Sequence, residues 1–323
     1  MRPRADAILA GPVKLSVVTT LYNSSAHVRE YYDRASAAAR RLTPDYELIF
    51  VNDGSPDDAF EQVLELHRAD PRVVGVDLSR NFGHYKAMMT GLSFARGERV
   101  FLIDSDLEED PALLVPFSAE LERRGCDVVY GVQTSRKGGW FERLSGALFW
   151  RLFNWLSPVP VPPNVVTARL MTRRYVRNLL RFRESEVFIM GLWSMTGFEQ
   201  VPLHMAKGSR GATNYTLRRK LAVLVNSITS FSNVPLVAIF YFGVVLSVVA
   251  AAYLLFLIVK WMLQSQPVIG WTSVIASIWL LGGLMISFLG IIGIYLAKVF
   301  VETKRRPYTV IRKVWRRDAP AAG

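Results

Sequence analysis

The order of apolar and polar positions splits the chain near residue 230. Before that point, short apolar runs of strand length alternate with longer segments of helical period. Lys14–Thr20 predicts a first strand and His27–Leu42 a helix that stops before Thr43-Pro44. Tyr46–Val51 is a second strand running into Asn52-Asp53-Gly54-Ser55-Pro56, and Asp57–Ala69 a helix. Val73–Leu78 is a third strand, followed by a helix over Tyr85–Arg96 that Gly97 closes. Phe101-Leu102-Ile103 predicts the fourth strand, Pro111–Arg124 a helix and Asp127–Val132 the fifth strand. Val165–Met171 and Arg173–Phe182 add a strand and a helix. The alternation predicts an α/β domain over 14–215 with a parallel, doubly wound sheet. Its strand ends gather Tyr22, Asn23, Asp53, Asn81, Gly83, Asp104 and Asp106 on one rim, where open α/β sheets bind ligands.

Beyond residue 230 the pattern changes. Val234–Val259 and Trp271–Ala297 carry no charge, and each exceeds the roughly 20 residues that cross a bilayer. With the short connector Lys260–Gly270 they predict a two-helix transmembrane hairpin. Arg218, Arg219 and Lys220 precede it, and Lys298, Lys304, Arg305, Arg306, Arg312, Lys313, Arg316 and Arg317 follow, against Lys260 alone in the connector. The positive-inside rule then puts the large domain and both termini in the cytoplasm, at the inner (plasma) membrane. Residues 216–233 read as a juxtamembrane amphipathic helix, 298–323 as a basic cytoplasmic tail and 1–13 as a flexible tail without a secretory signal. The stretch 140–156, with Trp140, Phe141, Arg143, Trp150, Arg151 and Trp155, reads either as a core helix or as an amphipathic segment at a membrane interface.

Composition narrows the partners. Lys+Arg number 39 against 27 Asp+Glu, a formal charge of +12 that suits nucleic acid, a membrane surface or phosphorylated substrates. The basic residues cluster at the spans and near the aromatic segment rather than on a reading helix, which argues against nucleic acid. The single Cys126 permits no internal disulfide and points to a reducing compartment.

The chemistry concentrates at Asp104-Ser105-Asp106-Leu107-Glu108-Glu109-Asp110, behind the fourth strand. A buried strand that ends in so many carboxylates calls for a cation, and a divalent metal carrying a phosphorylated ligand supplies one. The local alternative is a helix cap at Asp110-Pro111. These two readings stay open on the local residues alone.

Thr20-Leu21-Tyr22-Asn23, Val51-Asn52-Asp53-Gly54-Ser55, Ser79-Arg80-Asn81-Phe82-Gly83-His84 and Asp104-Ser105-Asp106-Leu107-Glu108 occur in that order. The chain resembles the family 2 glycosyltransferases of GT-A fold. With two spans and Glu302-Thr303-Lys304-Arg305-Arg306-Pro307, it is similar to their polyprenyl-phosphate branch, which includes dolichyl-phosphate mannose synthases and bacterial undecaprenyl-phosphate glycosyltransferases. The resemblance implies inverting transfer of a sugar from a nucleotide-sugar to a polyprenyl phosphate for cell-envelope glycan assembly. It implies a divalent Mg or Mn ion on Asp104, Asp106 and Glu108, and a catalytic set of Asp106, Glu108 and Arg169. Nucleotide-sugar contacts would come from Thr20, Tyr22, Asn23, Asp53, Asn81, Gly83, Lys86, Asp104 and Ser105. Arg136, Arg143, Ser145, Arg210 and Tyr215 fall at acceptor-phosphate positions. The chain departs from the family pattern with Glu108 for Gln, and with Asn164 and Thr167 where relatives carry carboxylates, one of them assigned as base. Ser24 and Ser25 replace an acidic residue, and Gly211–Tyr215 only approximates Gly-x-Ser-Lys-Tyr. Glu108 or Glu109 could stand in for the missing base. A homo-oligomer through the membrane helices is compatible with so small a hairpin. The competing functions are a membrane polysaccharide synthase and a non-catalytic scaffold of the same fold.

Overall fold

The computed structural model describes residues 13–133, 164–184, 189–205, 234–264 and 270–317. The chain forms two compact units, one of residues 1–146, 161–214 and 306–323, the other of 147–160 and 215–305. The first unit is built on an eight-stranded sheet. In chain order it contains β1 (Leu15–Leu21), α1 (Val28–Leu42), β2 (Tyr46–Asn52), α2 (Ala59–Ala69), β3 (Val73–Leu78), α3 (His84–Phe94) and β4 (Arg99–Leu102). A 3-10 turn at Pro111–Leu113 leads into α4 (Leu114–Arg124), followed by β5 (Val128–Gln133), β6 (Val165–Thr172), α5 (Arg173–Leu179), α6 (Ile189–Met195) and β7 (Gln200–Met205). The strand β8 (Ile311–Trp315) completes the unit.

The sheet order is β7-β5-β6-β4-β1-β2-β3-β8. β1 and β2 are buried at all positions, as expected of strands covered on both faces. α1 lays Val28, Tyr31, Ala35 and Ala39 against the sheet as one helical stripe, with Tyr31 edge-on to Phe50. β3, β2, β1 and β4 run parallel, as the alternation predicts. β5 and β7 share that direction, but β6 and β8 run against it. β6 enters antiparallel between β4 and β5, so that Leu170 lies opposite both Phe101 and Val129. The sheet is therefore mixed, and the fifth strand is not the parallel neighbour of the fourth.

The region read as a basic tail holds a second difference. β8 pairs antiparallel with β3 at the sheet edge. Trp315 packs on Phe60 at 5.2 Å, Arg312 reaches Asp77 at 3.1 Å, and Arg316 reaches the buried Glu47 at 3.0 Å. The acceptors of these cations lie more than two hundred residues earlier, so local pattern did not disclose the strand.

The second unit contains α7 (Val234–Gln264) and α8 (Trp271–Thr303), each running a few residues past the charge-free stretch with which it begins. Ser277–Thr303 is long and apolar enough to cross a bilayer, and Val234–Ala250 is a shorter apolar stretch. Phe242 of α7 meets Phe288 of α8 edge-on. Large apolar side chains remain exposed along both helices, Trp279 at 78% among them.

Candidate active site

Four loops leave the parallel half of the sheet at the same end, and short polar contacts join them. After β1, Asn23 turns in the left-handed region at φ 52°, its N–H donating to Ser55 Oγ at 2.8 Å. Tyr22 is 51% exposed beside it. After β2, Asp53 is buried, and its two oxygens accept from the Phe82 N–H at 2.7 Å and the Gly83 N–H at 3.0 Å. Burial raises the Asp53 carboxyl above its ordinary pKa, against the pull of these two donors. Gly54, at φ 64°, lies so close to the Arg80–Asn81 backbone that a Cβ would sit 2.5 Å from Asn81 N. The loop after β3 is thus held against the loop after β2. Gly83 takes φ 99° and starts α3, and Lys86 stands in that helix's first turn.

His84 joins the strand ends. Its Nδ1 lies 3.1 Å from Thr20 Oγ1 and its Nε2 lies 3.3 Å from Asp104 Oδ1. Burial works against its protonation. The hydrogen bond to Asp104 and the charges of Asp104, Asp53 and Asp106 outweigh it and raise the imidazole pKa. Asp104 Oδ1 is itself buried, and beyond this contact with His84 it has no hydrogen-bond partner among the described residues. Asp106 is exposed, and its Oδ1 accepts from the Glu108 N–H at 2.9 Å in a turn where Leu107 adopts φ 60°.

These positions sort the expected site residues. Thr20, Tyr22, Asn23, Asp53, Asn81, Gly83, Lys86, Asp104 and Asp106 do come together on one rim. Ser105 does not face it: the side chain is 4% exposed, and its hydroxyl donates to Thr20 O at 2.9 Å, tying β1 to the loop after β4. The expected set Asp104, Asp106 and Glu108 does not form a cage. Among the described residues no three His, Cys, Asp or Glu side chains are arranged to hold a metal ion. A smaller set fits better, because Mg²⁺ is commonly held by one or two carboxylates together with substrate phosphates. Asp104 fits such an ion in that its buried Oδ1 has no partner beyond His84 among the described residues. Asp110 does cap the 3-10 turn, accepting from Ala112 N at 2.9 Å, so the local alternative also holds, at a different carboxylate.

Arg169 is not a surface contact. It is 1% exposed on β6, donates to the carbonyls of Thr167 and Val166, and lies flat over the Trp193 ring. Burial pulls its pKa down to about 9, against the fields of Tyr175, Glu109 and Tyr130. It lies inside the fold, behind Trp193. Glu109 does not present a free base either. It is 1% exposed, and its oxygens accept from Thr167 N at 3.2 Å and Ala168 N at 2.7 Å. Arg136, Arg143, Ser145, Arg210 and Tyr215, with the segments 140–156 and 216–233, lie outside the described residues.

Sequence reasoning left out His84 and Trp193. His84 had a signal, since it directly follows the Asn81-Phe82-Gly83 motif on the rim. Trp193 had none, because β6 and α6 bring it to the site from ninety residues beyond β4. A pocket of about 230 Å³ opens beside His84 and Tyr85, bounded by Glu109, Gln133, Asn164, Thr167, Met190 and Trp193.

Comparison with known proteins agrees with this architecture. The model of glycosyl transferase family 2 matches residues 16–180. A glycosyltransferase of Mycobacterium tuberculosis (strain CDC 1551 / Oshkosh) is 51% identical over 95% of this chain and 90% of its own length. The prophage bactoprenol glucosyl transferase homolog of Escherichia coli (strain K12) is 30% identical over 94% of this chain and 99% of its own. A mannosyltransferase from Pyrobaculum calidifontis, solved with GDP-Man and Mn²⁺, aligns at 16% identity over 67% of this chain and 63% of its own, with a TM-score of 0.49.

Proposed function

The chain belongs to glycosyl transferase family 2, and on that premise we propose that it moves a sugar, with inversion, from a nucleotide-sugar to a membrane polyprenyl phosphate. The relative named for bactoprenol glucosyl transfer, aligned over nearly both whole chains, supports the lipid acceptor. The observation that carries the donor side is the rim itself. A buried carboxylate oxygen, Asp104 Oδ1, met only by His84 among the described residues, lies beside loops whose backbone Asp53 and Gly54 hold in place.

In this reading Asp104 and Asp106 hold a divalent ion, Mg or Mn, which when bound neutralises charge on the leaving diphosphate. Thr20, Tyr22, Asn23, Asn81 and Lys86 surround the nucleotide, and Asp53 acts by shaping the Phe82–Gly83 turn. The acceptor is a phosphomonoester whose second pKa is about 6, so at neutral pH it is already an anion. Its oxygen attacks the anomeric carbon, the bond to the nucleoside diphosphate breaks, and configuration inverts. Positioning rather than deprotonation is then the protein's task. That accords with Asn164 and Thr167 in place of carboxylates and with a Glu109 already engaged by backbone. Arg136, Arg143, Ser145, Arg210 and Tyr215 remain the candidates for holding the acceptor phosphate.

The membrane reading keeps two spans, within α7 and α8, with the sheet on the cytoplasmic side. Among the described residues two long helices separate β7 from β8, and both strands belong to one sheet, which favours an even number of crossings. The basic residues flanking the pair favour the cytoplasmic side. The test is the full chain in detergent or vesicles with undecaprenyl phosphate, Mg²⁺ or Mn²⁺ and a panel of nucleotide-sugars, read by mass spectrometry of the lipid. A lipid-linked monosaccharide is expected with at least one donor. Its absence with every donor refutes the proposal.

A further inference from the structure

The tail strand β8 meets the rim in a way that edge pairing alone does not require. Its register on β3 slips by one residue: Asp77 stands opposite Lys313, while the next residue, Leu78, stands opposite Ile311. Arg312 is the residue left over. An extra residue of this kind bends the strand and re-aims a side chain. Here the Arg312 guanidinium comes to the point where β3 leaves the sheet, 3.1 Å from Asp77 Oδ2 and 2.8 Å from the Ser79 carbonyl oxygen. Just before the strand, the Val310 carbonyl accepts from the Ser79 N–H at 2.9 Å. The tail thus takes up both backbone groups of Ser79.

Ser79 opens the loop that carries Asn81 and Gly83. Asp53 holds the far end of that loop through the Phe82 and Gly83 N–H groups, and Gly54 packs under Arg80–Asn81. The tail holds the near end. The contact also runs sideways. Asp77 is buried, and its other oxygen accepts from Asn52 Nδ2 at 2.8 Å. Asn52 Oδ1 accepts from the Ser55 N–H at 2.9 Å, and Ser55 Oγ from the Asn23 N–H at 2.8 Å. One chain of hydrogen bonds therefore leads from the tail across the ends of β3 and β2 to the loop after β1. It touches each of the three loops that carry Asn23, Asp53 and Gly83. Thr309 adds a contact on α3, 2.9 Å from the Thr90 hydroxyl, one turn past Lys86.

The energetics of the link are local. The Arg312 side chain is 61% exposed and that of Asp77 only 5%. A guanidinium so exposed adds little to global stability. What it fixes is the direction of a buried carboxylate on which the Asn52 amide depends, and hydrogen bonds that share such a chain strengthen one another.

We propose that Arg312 is a positioning residue of the nucleotide site. Through Ser79 and Asp77 it sets the loops after β2 and β3 in the geometry that accepts a nucleotide. The site is then complete only when the segment beyond α8 has returned to the sheet. The proposal rests on the nucleotide-sugar reading above and adds a residue that governs donor affinity without touching the donor.

The test compares the two ends of the tail strand in the full chain. Arg312→Met removes the link to the rim, and Arg312→Lys keeps the charge but not the fork that reaches two acceptors. Arg317→Met is the control, since Arg317 ties the tail to the Arg68 carbonyl at 3.0 Å and makes none of the rim contacts. Each protein is titrated with UDP and with GDP in the presence of Mg²⁺. For whichever of these the wild type binds, Arg312→Met should bind about tenfold more weakly, Arg312→Lys should fall between, and Arg317→Met should match wild type. With the corresponding nucleotide-sugar, Arg312→Met should raise its KM while kcat and the requirement for undecaprenyl phosphate hold. Amide exchange over 79–83 should quicken in Arg312→Met and not in Arg317→Met, with melting temperatures reporting that both are folded. Unchanged nucleotide affinity in Arg312→Met refutes the proposal alone. Equal weakening in Arg312→Met and Arg317→Met also refutes it, because any loosening of the tail would then suffice, as does a fall in kcat at unchanged KM. A wild-type chain that binds neither UDP nor GDP nor their sugars refutes the nucleotide reading and the proposal with it.

Discussion

Two sets of carboxylates show how the fold divides its charge. In the interior, Asp53 accepts from two consecutive backbone N–H groups, Phe82 and Gly83, and Glu109 does the same for Thr167 and Ala168. Glu47 accepts from Ser16, the Arg96 N–H and Arg316. Asp127 holds Thr172 and Arg174. Each of these anions is taken up by the protein's own donors, and each ties segments far apart in sequence. At the rim, the buried Asp104 oxygen meets only the His84 imidazole among the described residues, at 3.3 Å. The same side-chain chemistry is structural where it is satisfied and available for a ligand where it is not.

That contrast can be broken most sharply at Asp104. Asp104→Asn should reduce transfer by about a thousandfold, the scale of losing a charge that helps neutralise a leaving diphosphate, with little loss of melting temperature. A fall in stability with activity retained would place Asp104 in the interior class. Next in size is the pair closing β8 onto the sheet. Arg316→Met leaves Glu47 buried without its cation and should cost about 3 kcal/mol in urea unfolding. Glu109→Gln puts an amide NH₂ where one acceptor is needed and should cost about 2 kcal/mol, measured the same way. If it abolished transfer at unchanged stability, Glu109 would be a base after all.

The smallest effect concerns His84, measured with EDTA present. Its folded-state pKa is raised above 6.5, so its contribution is complete below that value and fades as pH rises through the raised one. The stability difference between wild type and His84→Gln should therefore shrink with rising pH. Because His84 is 47% exposed on its side chain, the whole effect should stay under about 1 kcal/mol. A difference that grows with pH would contradict the contact with Asp104.

The parallel half of the sheet was legible because its evidence is local. β1, β2 and β3 are short stretches rich in Val, Leu and other strand formers that end in polar turns, and their helices show their buried stripes in sequence. The rim residues follow from those strand ends, which is why Asn23, Asp53, Gly83, Asp104 and Asp106 could be gathered from pattern alone. Which of them hold the loops and which are left for a ligand was not legible. Ser105 and Glu109 carry the right chemistry for a site, yet burial and distant backbone partners use it up, and the buried Arg169 gives its donors to the carbonyls of Thr167 and Val166 in its own strand.

By itself, then, the sequence determined the alternating α/β order, the acidic rim and the long apolar helices, since each rests on residues close together in the chain. Tertiary structure alone decided that β6 inserts antiparallel, that Ile311–Trp315 returns to the sheet edge, and that Trp193 comes to stand beside His84. Those outcomes depend on pairings across dozens to hundreds of residues. Only the packed core selects among such pairings, by which one leaves the fewest buried donors and acceptors unpaired.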